Sequence, residues 1–169
     1  MTVTREPTAA RMNAAQIRQT LPHRYPMLLV DRVLDLVPGE SLVALKAVTC
    51  NEPWYQRLAD DAPEERFAYP QTLLVESWGQ AAGLLAVQEG SEAAELSGQV
   101  MLAGAMSGVE FLRPVYPGDV LKHRVRVVRA LSDTVIFEGE SLVGGDVVLR
   151  FSRMVMAFRP GDQLRPPSE

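Results

Sequence analysis

One cysteine, two histidines and no surplus of positive charge bound what this chain can be. Cys50 alone excludes an internal disulfide and a cysteine-built zinc site, and it is compatible with a reducing cytosol. His23 and His123 are too few for a histidine-rich metal cluster, so no metal is expected. Seventeen Lys and Arg against 21 Asp and Glu leave a net charge of −4, which gives no basis for nucleic-acid binding. No uninterrupted apolar run approaches the roughly 18 residues of a membrane helix, and residues 1–13 lack the apolar core of a signal peptide. A soluble, cytoplasmic protein is predicted. What the chain does have is 169 residues, 47% of them apolar, enough for the core of one domain.

Punctuation by proline and glycine divides the sequence. A short helix is expected over 14–20, ended by Pro22 and Pro26, then a strand over 27–36 that turns at Pro38-Gly39 into a hairpin partner over 42–49. Residues 51–68 form a long irregular segment carrying Glu52, Asp60, Asp61, Glu64 and Glu65. A long helix follows over about 72–88, and four strands are expected over 99–111, 120–130, 134–143 and 147–158. One apolar helix with about six antiparallel strands cannot be layered as β-α-β units. The architecture predicted is α+β, a curved antiparallel sheet wrapped around one central helix, over residues 14–159 with loose ends at 1–13 and 160–169. Open sheet edges predict pairing with a second copy or a related chain.

The central helix carries the most informative residue. Thr72, Glu76 and Gln80 share one stripe beside Gly79 and Gly83, while Leu73, Leu74, Val75, Trp78, Ala81, Leu84 and Leu85 cover the rest of the circumference. A carboxyl in an apolar setting is costly to keep charged, and burial raises its pKa into the range of a general acid or base. The structural alternative for Glu76 is an ion pair with an arginine or a cap on a neighbouring strand.

Four segments resemble the hot-dog-fold 3-hydroxyacyl-[acyl-carrier-protein] dehydratases of the FabZ type. They are Leu21-Pro22-His23-Arg24-Tyr25-Pro26-Met27-Leu28-Leu29-Val30-Asp31-Arg32-Val33, Asn51-Glu52-Pro53-Trp54-Tyr55-Gln56, the helix from Pro70 to Gly83, and Met101-Leu102-Ala103-Gly104 with Phe111-Leu112-Arg113-Pro114-Val115-Tyr116-Pro117-Gly118-Asp119. The resemblance implies loss of water from a (3R)-3-hydroxyacyl thioester carried on the phosphopantetheine of an acyl carrier protein, with no other cofactor, in fatty-acid or polyketide chain elongation. It implies that a His takes the C2 proton and that Glu76 is the acid contributed to the site across a subunit boundary. It implies an oxyanion contact from the backbone amide of Gln71 at the helix N-terminus. Gln80, Tyr69, Trp78 and Phe111 are expected to position substrate, and Arg113, Lys122, Arg124 and Arg126 to dock an acidic carrier.

The sequence departs from the family at the His. Where the family's pattern after Asn-Glu-Pro-aromatic-aromatic-Gln is Gly-His-Phe-Pro, this chain places Leu58 when counted from Asn51 and Ala62 when counted back from Pro70, and residues 51–69 contain no histidine. His23 falls in a segment where the family's His is structural, and His123, between Lys122 and Arg124, reads as solvated. Three readings are therefore open. The chain is the Glu76-bearing half of a heterodimer whose related partner supplies the His, or a homodimeric dehydratase using Asp60, Asp61 or Glu64 as base, or an inactive subunit that binds acyl thioesters or carrier protein.

Overall fold

The computed structural model describes residues 11–87 and 99–161. Helix α1 (Ala14–Thr20) is closed at its start by a capping box between Asn13 and Gln16 and ends at Leu21. The strands are β1 (Arg32–Val37), β2 (Ser41–Ala47), β3 (Gln99–Phe111), β4 (Val120–Leu131), β5 (Thr134–Val143) and β6 (Asp146–Pro160). They form one antiparallel sheet in the order β1-β2-β4-β5-β6-β3. Helix α2 (Gln71–Ala86) packs on β2, β4 and β5. This is the predicted α+β architecture, with a first strand that starts later than expected because residues 21–31 fold as a turn against α2. The segment 51–68 contains two short 3-10 turns, Pro53–Tyr55 and Glu64–Phe67. Of the predicted loose ends, residues 1–10 and 162–169 lie outside the described residues, whereas Met12 bridges to Val33.

The alternation of β4 decides which side is core. Leu121, His123 and Val125 are buried toward the helix, so Lys122, Arg124 and Arg126 face outward. Trp78 fixes α2 to this inner face: it is fully buried, its ring stacks on Phe151 at 4.2 Å, and its indole N–H donates to the Arg124 carbonyl at 3.2 Å. That approach requires a missing side chain at Gly139, where a Cβ would collide with the Arg124 carbonyl oxygen and crowd Trp78. β3 lies at the sheet edge and pairs only with β6.

Candidate active site

Residues 21–31 are folded by their own backbone and then held to α2 by one amide side chain. Arg24 donates to the carbonyls of Leu21 and His23, and Met27 and Leu28 donate their N–H groups to the Arg24 carbonyl. Gln80, almost fully buried, accepts from Leu29 N–H at 2.9 Å and donates to the Met27 carbonyl at 2.6 Å and to Glu76 Oε1 at 2.8 Å. The stripe Thr72-Glu76-Gln80 is thus a polar seam as predicted, and Gln80 acts on the neighbouring carboxylate and the 27–29 backbone together.

This fold brings His23 against Glu76. His23 Nε2 stands 3.2 Å from Glu76 Oε1, a contact within one chain that the sequence reading missed by treating His23 as remote from the chemistry. Oε1 is thus engaged by both nitrogens, and the residue also lines an adjoining cavity. That cavity, about 250 Å³, is walled by Val75, Gly79, Met101, Met106, Met154 and Met156. The enclosure is incomplete in the single chain. The Glu76 side chain is 36% accessible and His23 28%, against the expectation of a fully desolvated carboxyl.

Other predicted site residues lie elsewhere. Trp78 is core, on the face of α2 turned toward Phe151, and does not line the Glu76 cavity. Phe111 is exposed at the far end of β3. Tyr69 is buried ahead of α2, its ring edge-on to Trp54 and 5.6 Å from Lys46 Nζ. Burial, with Glu52 adding, pushes its hydroxyl well above the ordinary tyrosine range. Lys46 and Glu52 make a buried ion pair of 3.0 Å, and the same Glu52 oxygen accepts from Thr49 N–H, which ties the start of the 51–68 segment to β2. Gln71 opens α2 behind Pro70, exposed, in the first turn where helix amides lack intrahelical acceptors. Leu58 packs against the core, and Asp60, Asp61 and Glu64 are exposed and absent from the cavity wall.

One expectation is corrected by the sheet's alternation. His123 is not solvated: it is fully buried, its Nδ1 lies 2.8 Å from Ser141 Oγ, and burial with nearby Lys46 pushes its pKa down to about 3. Of the cations expected to dock a carrier, Lys122, Arg124 and Arg126 stand on the face of β4 turned away from α2. There Arg124 pairs with Glu140 and Arg126 with Glu138, so their charge is offset on the spot, while half-buried Arg113 donates long bonds to the Pro114 and Val143 carbonyls. Among the described residues no cluster of His, Cys, Asp and Glu could hold a metal, and no helix is long and apolar enough to cross a membrane.

Comparison with known proteins places this geometry in a family. Residues 21–152 match the FabA-like domain. The chain is 41% identical over 136 residues to a 3-hydroxyacyl-[acyl-carrier-protein] dehydratase FabZ from Oleidesulfovibrio alaskensis, covering 80% of this chain and 84% of that one. Against the protein of the same description from Shewanella oneidensis the identity is 39% over 137 residues, with 81% and 86% covered. In fold it is similar to the dehydratase heterocomplex ApeI:P from Xenorhabdus doucetiae, with a TM-score of 0.68, 19% identity, and coverage of 88% and 93%. The match spans both the polar seam of α2 and the turn that carries His23, and on that ground the chain belongs to the FabA-like domain family.

Proposed function

We propose that the protein is a 3-hydroxyacyl-[acyl-carrier-protein] dehydratase of fatty-acid or polyketide chain elongation, working through the pair His23 and Glu76. The contact of 3.2 Å between them, at the mouth of an apolar cavity, is the observation that carries this reading. Dehydration requires one proton to be taken from C2 and one given to the C3 hydroxyl. Once substrate entering the cavity opens the Nε2–Oε1 contact, neutral His23 Nε2 takes the first and Glu76 in its acid form delivers the second, so the C2–H and C3–O bonds break, the C2=C3 bond forms and water leaves. The pair's proton count is unchanged, and its hydrogen-bond distance lets the proton return from one member to the other. Gln80 holds the carboxylate in place, and the Gln71 amide at the start of α2 is the candidate donor to the thioester oxygen. The edge strand β3, with Leu102 exposed on it and Met106 in the wall of the cavity, is the candidate seam for a second protomer that would complete the enclosure.

A second reading keeps Glu76 as acid but draws the base from a related partner chain, and the lack of any histidine in residues 51–69 favours it. One assay separates the two. The purified chain alone should dehydrate a 3-hydroxyacyl carrier protein, and His23→Asn and Glu76→Gln should each lower turnover by roughly 10²–10⁴-fold. Full turnover by the His23 variant would remove that residue from the chemistry. An inert wild-type chain that gains activity with a His-bearing homologue would establish the shared site.

A further inference from the structure

A second cavity, about 470 Å³, lies beside the first, walled by Leu21, Pro22, Val87, Val100 and Phe158 among others. Among the described residues only His23 and Met101 belong to the walls of both. His23 is held by Glu76, which leaves Met101 as the movable part of the partition. Its thioether lies across the bare backbone of Gly83, where a Cβ would come within 2.6 Å of Met101 Cε and 3.2 Å of its sulfur. A glycine notch therefore seats the end of an unbranched side chain with three rotatable bonds. Resting on the acyl-thioester reading above, we propose that Met101 is the chain-length gate of this site. Seated in the Gly83 notch it closes the Glu76 cavity, and swung out it joins the two cavities into one slot. With the gate seated, an acyl chain has only the cavity of about 250 Å³ on this side of the partition, which favours a short chain over a long one. The joined slot reaches well beyond that.

The test reads binding, so that it does not depend on turnover. Saturated acyl-pantetheine thioesters from about six to sixteen carbons cannot be dehydrated, and each further methylene buried is worth roughly a fourfold gain in affinity until the slot ends. For the wild-type protein the gain should stop at a break point within that series. In Met101→Ala it should continue for several more carbons, and in Met101→Phe it should stop earlier, while Met101→Leu keeps the wild-type break. An identical break point in the wild type, the Ala variant and the Phe variant, each confirmed as folded by its thermal transition, overturns the gate. Turnover of 3-hydroxyacyl carrier proteins is measured in parallel. A shifted break without turnover, alone or with a His-bearing homologue, sustains the gate and sinks the dehydratase reading, and turnover with an unmoved break does the reverse.

Discussion

At the scale of single residues the two histidines exchange the roles their neighbours in sequence suggest. His23 sits in a proline-rich turn and meets the carboxylate because Gln80 pins that turn to α2. His123 sits among cations and is buried because its strand alternates. With a folded-state pKa near 3 against an ordinary 6.5, His123 binds fewer protons in the native than in the unfolded chain between those values. Its contribution is therefore neutral above pH 6.5, and stability falls as pH drops from there toward 3, by up to about 1.4 kcal/mol for each unit. His123→Gln should flatten that part of the acid unfolding curve relative to wild type, as followed by urea midpoints at stepped pH. An unchanged slope would show that His123 is not held neutral by its surroundings.

At the scale of elements, α2 carries both the chemistry and the anchor. One face presents Glu76 and Gln80, and the other presents Trp78 to Phe151 and the Arg124 carbonyl. Trp78→Ala should cost about 3–5 kcal/mol of unfolding free energy, since it empties a fully buried site and orphans a carbonyl contact. Chemical denaturation measures it directly. Periodicity made this helix and the long strands β3 to β6 legible in sequence to within a few residues. The polar stripe at positions 72, 76 and 80 was legible for the same reason. The His23 contact was not, because it joins a turn to a helix some fifty residues away through hydrogen bonds of one glutamine, and no local pattern encodes such a pairing. Alternation shows that Lys122, Arg124 and Arg126 share a face, but not that Glu138 and Glu140 stand opposite Arg126 and Arg124 on the neighbouring strand.

At the scale of the whole molecule the open edge at β3 is the unfinished part. Val100, Leu102 and Met106 are exposed along it. A protomer pairing there would cover the partly accessible Glu76 and His23 as well. Light scattering on the wild-type protein should report a dimer, and Leu102→Glu should shift it to monomer, because a buried charge at a seam is costly. The monomer should also lose activity with Glu76 and His23 intact. A fully active monomer would show that one chain encloses its own site.

The three hydrogen bonds of Gln80 carry a last consequence. Because a single amide latches the 27–29 backbone and steadies the carboxylate, damage to that turn is transmitted to reactivity before it is transmitted to folding. Changes at positions 27–29 that leave the melting curve intact should still slow the enzyme, so substitutions distant in sequence from Glu76 would masquerade as active-site lesions.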